Sequence, residues 1–234
     1  MGAVRRRRRP VRLPREQVEA FQRRLIRWYR HHGRRLPWRR TRDPYRILVS
    51  EVMLQQTQVE RVRSFYPRFL RRYPTVEHLA EAGAAEVREA WDGLGYYARA
   101  RHLHETAKRV VAQHGGRVPD DGDVIRRLPG IGRYTAGAVL SIAYGRDAAI
   151  LDTNAARVLA RVFGVSTRGP KSRMQGRLWA IAEDVTPAGR ADVFNQANMD
   201  LGATICRARL PECPRCPVRA ICRVGGRADQ GCGG

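Results

Sequence analysis

LPGIGRYTAGAV, Leu128 to Val139, sets a Pro-Gly-Ile-Gly turn between two stretches of helical character. Gly130 and Gly132 let the backbone turn sharply and approach a ligand closely, while the helix that follows offers unpaired N–H groups and the positive end of a dipole. Arg133 adds a cation beside them. The arrangement suits contact with a phosphate backbone, although the same glycines serve any short antiparallel helix pair.

Outward from this turn the chain reads as short helices. From Glu16 the apolar residues Val18, Phe21, Leu25 and Trp28 recur at helical spacing, with Gly33 as a stop. Helices are then predicted over 45–58, 60–71, 76–82, 84–92, 97–114, 121–127, 133–144, 153–163, 171–185 and 190–203, with Gly or Pro punctuating most gaps. No strand alternation or internal repeat is evident, so the expected fold class is all-α. Residues 1–14 are Arg- and Pro-rich and expected to be disordered.

A net charge of +23 over 234 residues remains strongly positive without the Arg5 to Arg9 run, so the body of the chain is itself basic. That balance suits a polyanion, with nucleic acid as the default partner. All the basic residues except Lys108 and Lys171 are arginines. Chemistry that needs a Schiff-base lysine therefore has two candidates, neither in a glycine-rich or apolar motif. No apolar run approaches the ~18 residues of a membrane span, and no hydrophobic segment follows the N-terminal charges. A soluble, cytoplasmic protein is expected.

In ILVSEVMLQQTQ, Ile47 to Gln58, one acid stands in an apolar helical run. Ionised carboxylates are costly to bury unpaired, so Glu51 either finds a partner or shifts its pKa upward, and a carboxyl protonated near neutrality can donate a proton. In ILDTNAARVLARVFG, Ile150 to Gly164, Asp152 occupies an N-cap position, where helix N–H groups would hold it as a fixed anion. A raised acid and a held anion are the two roles needed to break a glycosidic bond. GLGYYARARHLH, Gly93 to His104, joins a turn, two exposed-looking tyrosines and the cations Arg99 and Arg101, which suits stacking on bases and phosphate contact as well as an ordinary helix boundary. His102 and His104 read as solvated helix positions.

Cys206, Cys213, Cys216 and Cys222 form C-x6-C-x2-C-x5-C. Four thiolates so close can enclose a tetrahedral zinc or a 4Fe-4S cluster, and the single short knuckle favours iron–sulfur. Cys232 is left over and reads as a free thiol in a frayed end.

Together LPWR, DPY, SEVMLQQTQV, GLGYYARARHLH, LPGIGRYTAGA, ILDTN, FNQANMDLGATIC and the four-cysteine loop resemble, in order over about residues 20–223, the helix-hairpin-helix DNA glycosylases, and specifically the adenine DNA glycosylases of the MutY type. The resemblance implies a six-helix barrel domain over 36–145 carrying the helix-hairpin-helix, an iron–sulfur domain from 15–35 and 146–225, and a disordered tail at 226–234. It implies a 4Fe-4S cluster on the four cysteines, mainly structural, with Arg207, Arg209 and Arg215 presented to DNA. Glu51 matches the general acid that protonates adenine, and Asp152 the aspartate that stabilises the sugar cation, with Tyr134 and Asn154 as supporting neighbours. Arg39 and Gln196 match residues near the extruded adenine. Gln56 and Tyr96 match side chains entering the stack around the orphaned base, with Thr57 beside them as a DNA-binding residue, and Gly130, Gly132 and Arg133 match the backbone clamp.

The family likeness thus implies a monomeric base-excision-repair enzyme, nucleoid-associated in the cytoplasm, that acts on double-stranded DNA containing a mispair. It would hydrolyse adenine opposite 8-oxoguanine or guanine and leave an abasic site. In endonuclease III a strand-cleaving lysine stands where this chain has Tyr134, which implies a monofunctional enzyme. No counterpart of the family's MutT-like C-terminal domain is expected. The similarly short thymine-DNA mismatch glycosylases share the tyrosine and a comparable TRDPY segment, so thymine or uracil opposite guanine is the alternative substrate; LQQTQ and LGYYARAR favour adenine. A non-catalytic damage-binding protein is the alternative of another class.

Overall fold

A computed structural model describes residues 13–166 and 170–225. The expected disordered tails therefore lie almost wholly outside the described residues, as does Cys232. Among those described there is no β-strand, and the chain is all-α. It divides into two compact units.

One unit comprises residues 34–150 and 188–193. It holds α2 (Pro44–Leu54), α3 (Val59–Arg72), α4 (Val76–Glu81), α5 (Ala84–Ala90), α6 (Ala98–His114), α7 (Gly122–Ile125) and α8 (Arg133–Ala138), whose end widens into a π-turn at Val139–Ala143. α2 starts sharply because Pro44 is compatible with a first turn and the Asp43 carboxylate accepts from Arg46 N at 3.0 Å. Ile47, Leu48, Val49, Val52 and Met53 are all buried, so α2 is enclosed around its circumference and forms the centre of this core. α3 and α6 pack on it, and Trp91 meets Phe69 edge-on with ring centroids 5.7 Å apart.

The predicted helix over 45–58 ends instead at Leu54. The chain leaves helical geometry at Gln55, with ψ 113°, and Gln56 follows with a left-handed backbone at φ 55°; the carbonyls of Val52, Met53 and Gln55 accept from the Arg99 side chain, while Val52 O and Leu54 O also accept from the N–H groups of Gln55 and Thr57. The pattern of apolar residues contains no sign of either event.

The other unit gathers α1 (Arg15–His32), α9 (Thr153–Phe163), α10 (Lys171–Val185), the part of α11 (Ala191–Thr204) from Phe194 onward, and the irregular cysteine segment. Phe21 of α1 is fully buried and meets Phe163 and Phe194 edge-on, at 5.4 and 5.7 Å between centroids. Gln22 Nε2 donates to Val185 O at the end of α10, and Gln17 Nε2 to Ile221 O in the cysteine segment.

At Gly202, α11 approaches α9 closely: a Cβ there would stand 2.7 Å from both the Cβ and the carbonyl oxygen of Asn154. Backbone on that side cannot yield as a flexible side chain could. Gly202→Ala is expected to destabilise the protein by about 1 to 3 kcal/mol through overpacking, as measured by urea unfolding.

Candidate functional site

Glu51 lies in the third turn of α2 and is 4 % exposed, so the sequence expectation of a buried acid holds. The glutamine that follows α2, Gln55, is tied to α8 through Nε2 and Thr135 Oγ1 at 3.4 Å. Tyr134, next to it in sequence, is half-buried. The Pro129–Arg133 turn has the expected form. Gly130 is left-handed at φ 72° and packs so closely on His102 that a Cβ would stand 2.9 Å from the His102 Cβ. Gly132 is the N-cap of α8, and Gly130, Gly132 and Arg133 are all exposed, while Leu128 and Ile131 anchor the turn in the core. Thr106 Oγ1 donates to Pro129 O at 3.0 Å and fixes the turn to α6.

Two exposed tips stand beside one another in backbone conformation and in support. Gln56 and Tyr96 are both left-handed non-glycine residues, at φ 55° and 49°, and Tyr96 is 59 % exposed. Tyr97, also exposed, donates to Asp92 Oδ1 at 2.5 Å and lies under the Arg88 guanidinium. Arg101 is exposed as well.

Two sequence expectations need correction. The sequence groups Arg99 with Arg101 as a cation suited to phosphate, but Arg99 is buried at 7 % exposure and its guanidinium is taken up by backbone carbonyls. His104, expected in solvent, is buried at 3 %; loss of solvation pulls its pKa down from the ordinary imidazole value, with the Lys108 charge acting in the same direction. His102 is half-buried under the turn. Arg39 is half-buried and donates to Arg34 O at 3.1 Å.

In the other unit Asp152 caps α9. Its Oδ1 accepts from Ala155 N at 2.6 Å and its Oδ2 from Asn154 Nδ2 at 3.0 Å. Asn154 Oδ1 in turn accepts from Arg157 Nη2 at 2.7 Å, and Arg157 also donates to Gly202 O and Cys206 O at 2.6 and 2.7 Å. Gln196, on α11, accepts from Tyr29 Oη at 3.2 Å.

The sequence reading missed Arg157 and its neighbour Arg161. Their spacing of four residues on the polar face of α9 is the signal that was available, but it reads equally as a solvated stripe.

Cys206, Cys213, Cys216 and Cys222 line a cavity of about 130 Å³ whose other walls include Val158, Leu201 and Val218. Arg161 Nη1 donates to Cys206 Sγ at 3.4 Å and to Arg207 O at 2.7 Å, and Gly225 N to Cys222 Sγ at 3.3 Å. Burial chiefly pushes the Cys216 thiol up to about 11. Arg207, Arg209 and Arg215 are exposed as expected, with Arg207 and Arg215 both paired to Glu212, at 2.9 and 2.7 Å. Among the described residues no three His, Cys, Asp or Glu side chains converge on a single-ion geometry. No helix among them is long and apolar enough to cross a membrane.

Comparison with known proteins agrees with this architecture. The chain is 44 % identical over 92 % of its length to the adenine DNA glycosylase of Rattus norvegicus, and spans 43 % of that protein. It is 42 % identical over 90 % of its length to the thymine-DNA glycosylase of Aeropyrum pernix, spanning 96 % of it. The solved structure of a thermostable thymine-DNA glycosylase superposes with a TM-score of 0.83 at 34 % identity, covering 91 % of this chain and 98 % of the other. Residues 49–184 match the model of the HhH-GPD superfamily base excision DNA repair proteins. With that match and these relatives, the chain belongs to the HhH-GPD superfamily of base excision DNA repair proteins.

Proposed function

We propose that the chain is a DNA N-glycosylase that removes adenine mispaired with 8-oxoguanine or guanine and leaves an intact abasic site. The observation that carries this reading is Glu51, a carboxyl enclosed at 4 % exposure within the buried helix α2 of a base-excision-repair fold. Desolvation disfavours its ionised form, and a carboxyl kept protonated near neutrality is a general acid.

The exposed turn at Gly130, Gly132 and Arg133 holds the phosphate backbone through main-chain N–H groups and a guanidinium, and the surplus of arginine draws the duplex in. Gln56 and Tyr96 enter the base stack as the mispaired base leaves it, with Thr57 beside them on the DNA, at a cost of a few kcal/mol. Arg39 and Gln196 contact the extruded adenine. Glu51 donates its proton to adenine N7, the C1′–N9 bond breaks with its electron pair going to the base, and water adds to the sugar cation while its proton passes to the carboxylate left at Glu51. Asp152 is suited to stabilise the cationic sugar because its two oxygens are oriented by Ala155 N and Asn154, leaving the group fixed as an anion would need to be.

Tyr134 supports the site and supplies no amine, so no Schiff base forms there. The two lysines of the chain, Lys108 and Lys171, stand in other segments.

The four cysteines would hold a 4Fe-4S cluster. The four cysteines line one cavity walled in part by apolar side chains such as Val158, Leu201 and Val218, a donor set of four thiolates that fits the group. Such a group, when bound, supplies cross-linking of the C-terminal segment. The chain's own contribution is the donors on its rim, Arg161 and Gly225 N, which stabilise thiolate charge.

The second reading, thymine opposite guanine, is favoured by the thymine-DNA glycosylase that this chain matches over nearly its whole length. The sequence segments LQQTQ and LGYYARAR favour adenine.

Single-turnover assays on duplexes carrying A opposite 8-oxoguanine, A opposite G and T opposite G separate the two. Adenine release is expected, with the product strand intact until alkali is added; release of thymine alone moves the chain to the mismatch-thymine class. Glu51→Gln should bind the mismatched duplex with unchanged salt dependence and lose about 10² to 10⁴ in release rate. The purified protein is expected to contain iron and acid-labile sulfide, and Cys213→Ser to lose both together with stability. Zinc in stoichiometric amount, without sulfide, would reject the cluster assignment.

A further inference from the structure

Arg99 is buried, and the groups around its guanidinium come from two loops. From the segment after α2, Nη1 donates to Val52 O, Met53 O and Gln55 O at 3.0, 2.6 and 2.6 Å, and Nη2 to Thr57 Oγ1 at 3.0 Å. From the segment before α6, Nη2 donates to Leu94 O and Gly95 O at 3.2 and 3.0 Å, and Nε to Tyr96 O at 3.4 Å. The guanidinium also lies against the Trp91 and Tyr96 rings, 5.4 and 5.5 Å from their centroids.

These contacts bracket both strained tips. Gln56 stands between Gln55, whose carbonyl is bound, and Thr57, whose hydroxyl is bound; Tyr96 is held at its own carbonyl and at that of Gly95. A left-handed backbone at a non-glycine residue persists only where its surroundings over-determine it. Here one side chain supplies that constraint to both tips at once, assisted at Gly95 O by Trp91 Nε1 at 3.2 Å. A lysine could not do the same, because the work is done by the planar fork of donors and not by the charge.

We propose that Arg99 is a positioning residue that locks Gln56 and Tyr96 into a single two-pronged wedge, so that a duplex is opened by a preset pair and not by two independent loops. The inference rests on the reading above that these two side chains enter the base stack. It assigns Arg99 a role in opening the duplex, distinct from the bond-breaking that follows.

The test compares a closed with an already open substrate. Arg99→Lys and Trp91→Phe are assayed for single-turnover release of the mispaired base from a duplex and from a short mismatch bubble in which that base is already unstacked. Fluorescence of 2-aminopurine beside the mispair reports opening, and circular dichroism reports folding. Arg99→Lys should slow opening and release in the closed duplex by about 10²-fold, the scale of a small misplacement of a positioned group. Trp91→Phe, which removes the indole donor to Gly95 O without stranding a buried charge, should show a smaller loss of the same kind. Both variants should release base from the bubble at the unaltered rate.

Equal loss on duplex and bubble would reduce Arg99 to a structural residue and overturn the proposal, as would full opening by both variants. If Arg99→Lys does not fold, the duplex-to-bubble ratio of Trp91→Phe decides alone. If the unaltered protein releases no base from either substrate, the glycosylase reading falls, while the fluorescence change on opening still tests the wedge.

Discussion

A helix enclosed on every side cannot end inside a protein unless something donates to its last carbonyls. α2 meets that condition: its apolar residues close the core around it, and the groups left over at its C-terminus are backbone oxygens that water does not reach. Arg99 answers the need from the first turn of another helix, and the negative end of the α2 dipole helps to offset the cost of burying the cation. Glu51 lies between the two ends so secured. Asp43 supplies the contact at one end of α2 and Arg99 at the other.

The second unit obeys the same rule with different groups. At the N-terminus of α9 the Asp152 carboxylate accepts from the backbone donor of Ala155, and that carboxylate is itself oriented by Asn154, which Arg157 orients in turn. The cysteine segment has almost no regular structure to satisfy its backbone. Arginine side chains from α9 take up the carbonyls of Cys206, Arg207 and Ala208 instead. An arginine-rich composition thus has an interior use as well as a surface one: at Arg99, Arg157 and Arg161 the guanidinium ties irregular backbone together.

What was legible in the sequence was local. The amphipathic spacing of α1 and α9, the glycines of the Leu128–Val139 turn, the N-cap at Asp152 and the burial of Glu51 all follow from neighbours a few residues away. What was not legible depends on partners far along the chain. Nothing near Gln56 shows that the helix must stop at Leu54, because the donor that makes the stop possible belongs to α6. Arg99 looked like one more surface cation in a basic stretch, and His104 like a polar residue on a solvated face; both are buried by packing that no periodicity encodes. Arg157 was hidden for the same reason, since its carbonyl partners lie on α11 and in the cysteine segment.

The tight bracketing of Gln56 and Tyr96 also has a thermodynamic side. Fixing a backbone residue in one conformational well costs roughly 1 to 2 kcal/mol in entropy, and a loop that orders only on contact incurs that cost during binding. Here the two tips are ordered as the protein folds, when their carbonyls close around the guanidinium. Their contact with a partner therefore starts from a rigid surface, and the heat and entropy of association carry no contribution from folding these two loops.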